Sequence, residues 1–78
     1  MSTRQQNERK FGHWEDLPRG ERRYWLDVAS RLGWKVRYIK EVDANEVTSR
    51  FYQEVYNEIG EMIEVHHNYP VDLGHRKV

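Results

Sequence analysis

Histidine, tyrosine, arginine and glutamate recur at alternate positions along three consecutive segments between residues 34 and 69. The candidate catalytic residues are Arg37, Tyr52, Glu54, Glu64 and His66. These residue types can carry out metal-free phosphodiester chemistry, in which a base takes the proton from a ribose 2′-hydroxyl and an acid protonates the leaving oxygen. An arginine stabilises the charge that develops on phosphorus. The chain therefore carries the side chains that an endoribonuclease without a metal or other cofactor would need.

The same alternation also produces an aromatic and basic surface. Tyrosine and arginine are enriched in protein contact surfaces, and arginine and lysine contact phosphate groups. The candidate partner-binding residues are Arg37, Arg50, Tyr52, Tyr56, His66, His75, Arg76 and Lys77, the last three in a basic C-terminal tail. Because the chain has no recognised catalytic motif, we favour a binding module for a protein or RNA partner. The endoribonuclease is the alternative, and a structural or regulatory subunit whose sheet edge pairs with another chain is a third reading.

Three strands are predicted to position these side chains, at residues 34–42, 47–57 and 61–69. Each segment alternates and is rich in β-branched and aromatic residues, with turn residues between them. Residues 43–46 suit a four-residue hairpin loop in which Val42 opposes Val47. Asn57 and Gly60 stand where a type I turn closed by a glycine bulge requires them, so that Asn57 opposes Glu61.

These two loops fix which side chains share a face, because a slip of one residue would reverse every position. They predict an outer face with two rows that cross the sheet: Arg37, Tyr52 and His66 in one, and Lys35, Glu54 and Glu64 in the next. The opposite face is predicted to hold the apolar core residues Trp34, Val36, Tyr38, Val42, Val47, Phe51, Val55, Ile63, Val65 and Tyr69. Small ribonuclease toxins of the RelE kind place comparable residues on an antiparallel sheet beside helices, and the predicted outer face resembles theirs in architecture, without a shared sequence motif.

Residues 21–33 fit two structures. At a period of 3.6, Trp25, Val28 and Leu32 lie on one face of an amphipathic helix that Gly33 would end. At a period of two, Tyr24, Leu26 and Val28 lie on one face of a strand over residues 22–28. We favour the helix, since a three-stranded meander needs a second layer. The predicted fold is therefore α+β, with one helix packed on a three-stranded antiparallel meander. The alternative is an all-β four-stranded meander that dimerises through its apolar face.

Size and composition bound the remaining properties. A chain of 78 residues is predicted to form one α+β domain over residues 11–78, preceded by a disordered arm over residues 1–10. Thirteen basic and thirteen acidic residues balance, so there is no overall field to attract nucleic acid or anionic lipid. The chain contains no cysteine and no apolar run long enough for a membrane span. We expect a cytoplasmic protein that does not act on membranes, and we keep a homodimer open because the core must be thin.

No metal site is expected. His66 and His67 are adjacent and would point to opposite faces of a strand, so they cannot chelate one ion together. A site formed by His67, Asp72 and His75 is the alternative that the sequence offers. A histidine at the rim of the core is the simpler interpretation of His67.

Overall fold

The computed structural model describes residues 3–70 and the strand at 74–77. Over these residues, one helix precedes a single antiparallel sheet in which every strand pairs with the next one along the chain. The elements are α1 (Arg4–Phe11), β1 (His13–Asp16), β2 (Arg22–Ala29), β3 (Lys35–Val42), β4 (Thr48–Tyr56), β5 (Met62–Tyr69) and β6 (Gly74–Lys77). The α+β class and the antiparallel meander are confirmed. The sheet is larger than predicted, with five strands between His13 and Tyr69 and a short sixth strand beyond them.

The helix predicted for residues 21–33 is wrong, because that segment forms strand β2. The strand has the period of two that the alternative interpretation predicts: Tyr24 and Leu26 pack toward the core, and the residues that alternate with them face the other way. A tight turn then joins β2 to β3. Leu32 and Gly33 both have positive φ, and Trp34 N–H donates to the Arg31 carbonyl, as in a type I′ hairpin turn.

The helix lies instead in the segment predicted as a disordered arm. Thr3 and Gln6 form a reciprocal capping box at its start, and Gly12 ends it with a φ of 80°. Phe11 packs on Tyr24 with ring centroids 5.8 Å apart. Buried Asn7 donates to Glu46 (2.9 Å) and accepts from Lys40 (2.9 Å). Polar contacts with the sheet therefore hold a helix that has little apolar surface of its own.

The strands predicted at residues 34–42, 47–57 and 61–69 are confirmed as β3, β4 and β5. The turn after β4 is also confirmed, since Gly60 N–H donates to the Asn57 carbonyl and Gly60 has a φ of 88°. The loop between β3 and β4 has the same geometry, with Glu46 at a φ of 64° in the glycine position. Val42 consequently opposes Thr48, and not Val47 as predicted.

The sheet has two different faces. The helix face is the side on which Phe11, Tyr24 and Val42 form the buried core cluster beneath α1. The groove face is the opposite side, where Ile39 and Tyr52 are buried at the centre of the sheet. The core is thus split between two sides of one sheet, and α1 covers only one end of the helix face.

A bulge in the pairing of β4 with β5 overturns part of the predicted outer face. The register shifts between Val55 and Tyr56 and again between Phe51 and Tyr52, so between the two shifts Val55 opposes Glu64 and Tyr52 opposes His67. Glu64 and His66 therefore belong to the helix face, and the predicted rows that join them to Tyr52 and Glu54 do not exist. The first extra residue in β5 reverses the side chains from Glu64 to His67, and the second returns Tyr69 to the face of Phe51. No turn signal in the sequence indicates either shift.

Candidate functional site

The groove that gives the groove face its name has a volume of about 440 Å³ and runs across the strands. Its lining consists of Glu15, Arg23, Trp25, Arg37, Ile39, Tyr52 and Glu54. The floor comes from the three central strands: Trp25 is partly exposed, Ile39 is 3% exposed and Tyr52 is 8% exposed. The floor is therefore apolar and aromatic, and charged side chains form the walls.

An aromatic row runs along this floor. Cross-strand pairing aligns His13 with Trp25, Trp25 with Ile39, Ile39 with Tyr52, and Tyr52 with His67. His13 stacks on Trp25 with ring centroids 5.6 Å apart, and Tyr52 stacks on His67 at 5.5 Å. Stacked cross-strand pairs restrict the rings, so the floor is preorganised.

The first wall is an ionic row centred on the carboxylate of Glu41. Arg23 Nε lies 2.9 Å from it, Arg50 approaches within 3.6 Å, and the Tyr52 hydroxyl donates to it at 3.0 Å. The Arg50 guanidinium also lies over the Tyr52 ring, 4.5 Å from its centroid. Burial, together with the negative charge of Glu41, raises the pKa of Tyr52 to about 12.

The second wall is built around Arg37. Its guanidinium donates to both carboxylate oxygens of Asp27, at 2.7 and 3.0 Å, and lies 5.8 and 5.9 Å from the ring centroids of Trp25 and Tyr56. The hydrogen bond from Arg37 holds the pKa of Asp27 below its usual value. Burial and a hydrogen bond to Glu54 raise the pKa of Tyr56 to about 12. These contacts fix Arg37 between two rings.

The structure brings together only part of the candidate catalytic set. Arg37, Tyr52 and Glu54 of the candidate catalytic set do line one groove, but Glu64 and His66 lie on the helix face. A tyrosine whose pKa is about 12 stays protonated at neutral pH, so Tyr52 is a poor general base. The histidine that the ribonuclease hypothesis names, His66, is therefore not at the groove, and the histidine that stacks on Tyr52 is His67.

The candidate partner-binding residues divide in the same way. Arg37, Arg50, Tyr52 and Tyr56 come together on the groove face, as the sequence predicted, whereas His66 does not. His75, Arg76 and Lys77 fall in strand β6, and their side chains lie outside the described part of the chain.

Metal binding has no described site. Within the part of the chain that the structure describes, no three histidine, aspartate or glutamate side chains are grouped so that they could hold a metal ion. Asp72, one member of the site that the sequence offered, lies outside the described residues.

Four lining residues were missed as site candidates: Glu15, Arg23, Trp25 and Ile39. Arg23 and Trp25 alternate with Tyr24 and Leu26, and this signal was present in the strand interpretation of residues 22–28. Glu15 belongs to a four-residue edge strand that is exposed throughout, so nothing in its sequence marks it.

Comparison of the chain with models of known protein families, with curated proteins and with solved structures finds no match. Among the described residues, no helix combines the length and the apolar character that crossing a membrane requires.

Proposed function

We propose that this protein is a non-enzymatic binding module whose groove receives an extended segment of a partner protein. The observation that supports this proposal is an apolar, aromatic floor lying between two walls whose charges are already paired. Trp25 and Tyr52 offer the large, rigid contact surfaces that dominate binding energy in protein interfaces. The cytoplasm is the compartment of this proposal, because a cysteine-free chain needs no oxidising environment.

The dimensions of the groove suit one extended chain. Arg23 and Asp27 stand in opposite walls, four residues apart along β2, which corresponds to about 13 Å. Stacked β-sheets pack roughly 10 Å apart, so an extended chain with its side chains fits within this width. A segment lying across the strands would place one aromatic or aliphatic side chain on the floor and its polar neighbours against the walls.

The charge balance favours a protein over an RNA partner. The groove face of β1 to β4 carries four carboxylates and four cations, namely Glu15, Asp27, Glu41, Glu54, Arg23, Lys35, Arg37 and Arg50. A phosphate backbone needs an excess of positive charge, which this face does not have. Each arginine at the groove would also have to leave a carboxylate before it could bind phosphate.

The NMR signals of the tryptophan side chains give a direct test, because Trp25 lies in the groove and Trp34 lies away from it. Trp34 donates to Glu58 at the end of the sheet, 2.8 Å away, and does not line the groove. We would select binders from a library of extended random peptides against the purified protein. Titration with a selected peptide, followed by NMR of fluorotryptophan-labelled protein, should shift the Trp25 signal and leave Trp34 unchanged.

The matched variants are Trp25→Ala and Trp34→Ala. We expect Trp25→Ala to weaken peptide binding at least tenfold, about 1.4 kcal/mol or more, and Trp34→Ala to leave it unchanged. Single-stranded RNA is titrated in the same way, as the competing type of ligand. If RNA shifts Trp25 with a steep salt dependence while peptides do not, or if selected peptides shift Trp34 alone, the proposal is wrong.

A further inference from the structure

On the helix face beyond α1, the strands β2, β3 and β4 form an uncharged strip. Its six positions, in two rows across β2, β3 and β4, are Leu26, Tyr38, Gln53, Val28, Val36 and Val55. Leu26 and Tyr38 pack against the core cluster under α1, so the strip continues the protein's own core. Val28, in the outer row, is 43% exposed.

The two ends of this face differ in height. At one end α1 stands above the sheet, where Phe11 packs on Tyr24 and Lys40 reaches Asn7. At the other end two neighbouring hairpin turns, joined by the hydrogen bond from Trp34 to Glu58, expose apolar side chains. Leu32 is 82% exposed and Ile59 is 74% exposed. The molecule is therefore thick at one end of the strip and thin at the other.

Leu32 occupies an unfavourable position for its residue type. It has a φ of 60° in a turn whose first central position normally holds asparagine, aspartate or glycine. A leucine gains nothing there from its own chain, because its side chain is almost fully exposed. Both its conformation and its exposure are accounted for if the side chain contacts something outside the monomer.

We infer that a second copy of this chain covers the strip, turned end for end. A two-fold axis across the strands, between the two rows, sets Leu26 against Val28 and Tyr38 against Val36 of the second copy. In β5, next to the strip, the same axis sets His66 against Glu64 of the second copy. The hairpin turns at Leu32 and Ile59 of each copy then lie beside α1 of the other copy. The thin end of one molecule therefore meets the thick end of the other.

Such a dimer is isologous, since the same patch serves both copies. A foreign partner would need to reproduce both the uncharged strip and the step beside it. The chain itself already has both. The groove lies on the opposite face of the sheet and stays open in this dimer, so the inference does not depend on the proposed binding function.

Two valines of similar exposure provide the test. Val28 lies in the strip, while Val47, which is 40% exposed, follows the β3 to β4 turn and lies outside it. Sedimentation equilibrium should give the unmodified chain a mass near twice 9.5 kDa. Val28→Glu should sediment as the monomer and Val47→Glu as the dimer, with both folds checked by NMR.

A second variant, Leu32→Asn, changes a residue that the turn itself does not favour and so should fold at least as well. It should raise the dimer dissociation constant about tenfold. The inference is overturned if the unmodified chain stays monomeric at about 1 mM, where even a dimer of micromolar affinity would be saturated. It is equally overturned if Val28→Glu dimerises as strongly as Val47→Glu.

Discussion

Replacing Glu46 tests how α1 is held on the sheet. The Glu46 carboxylate accepts hydrogen bonds from Arg4 Nε (3.0 Å), Asn7 Nδ2 (2.9 Å) and the Tyr24 hydroxyl (2.7 Å). Arg4 is exposed and can bond to water instead, but Asn7 and Tyr24 are buried. A buried group left without its partner costs about 1–3 kcal/mol. We therefore expect Glu46→Ala to lower the free energy of unfolding by roughly 2–4 kcal/mol, a large share for so small a chain.

Glycine at the same position separates the hydrogen bonds from backbone strain. Glu46 has a φ of 64°, which costs a residue with a Cβ atom about 1 kcal/mol relative to glycine. Alanine keeps this strain and glycine removes it. Glu46→Gly should thus be about 1 kcal/mol more stable than Glu46→Ala, yet still less stable than the unmodified protein. Urea unfolding followed by tryptophan fluorescence measures all three proteins. If Glu46→Gly equals or exceeds the unmodified protein, the carboxylate does not hold α1 in place.

Acid provides an independent check on the same carboxylate. Although burial opposes its ionisation, hydrogen bonds from Tyr24, Asn7 and Arg4 keep the pKa of Glu46 below its ordinary value of 4.5. A carboxylate with a lowered pKa contributes stability above its unfolded pKa, and this contribution is lost as the pH falls through the folded pKa. Unfolding free energies should therefore fall below pH 4.5 more steeply for the unmodified protein than for Glu46→Ala. Parallel pH profiles would contradict this.

Four further substitutions have outcomes that the structure specifies. Ile39→Ala removes a buried side chain and should lower the free energy of unfolding by about 2–4 kcal/mol, while Ile59→Ala, at an exposed turn, should change it by less than about 0.5 kcal/mol in urea titrations. Ultraviolet titration should show Tyr52 and Tyr56 ionising near pH 12, and Tyr52→Phe should remove one such step. Because the pKa of Tyr52 is raised, its contribution to stability should be lost as the pH rises from 10.0 to about 12, with a smaller loss in Tyr52→Phe. Leu32→Asn relieves an unfavourable backbone conformation and should stabilise the dilute monomer by about 1 kcal/mol in thermal melts; a lowered melting temperature would show that the turn is not strained.

The sequence predicted those parts of the fold in which local signals agree. Asn57 and Gly60 specify a turn by their own chemistry: the Asn57 side chain accepts from the Ile59 and Glu61 backbone N–H groups, and Gly60 takes the positive φ. The strands on either side alternate, so turn and pattern require the same hairpin. The same alternation in β3 and β4, with the pairing of those two strands, puts four of the partner-binding candidates on one face.

Local signals fail where distant residues decide the structure. Helix α1 has a single buried apolar side chain, Phe11, and its buried Asn7 depends on Glu46, far along the chain. A segment that is polar on all sides gives no period from which to predict a helix. The β2 to β3 turn is hidden in a similar way, because Leu32 stands where a turn residue would have indicated a hairpin. Without a turn signal for that hairpin, the helical period of residues 21–33 was the stronger pattern, and the helix was predicted.

The bulges in the sheet explain why one half of the candidate site was predicted and the other was not. Between β3 and β4, the observed pairing of Arg37 with Glu54 differs from the predicted pairing by two residues, so the side chains from Arg50 to Tyr56 keep their faces. Between β4 and β5 the shift at the centre of the strands is one residue, which reverses Glu64 and His66. Their departure leaves a groove face in which positive and negative charges balance, and it brings His67 onto Tyr52 to complete the aromatic row. The register shifts between β4 and β5 thus take Glu64 and His66 out of the predicted acid–base rows, and the groove face that remains carries balanced charges and stacked rings.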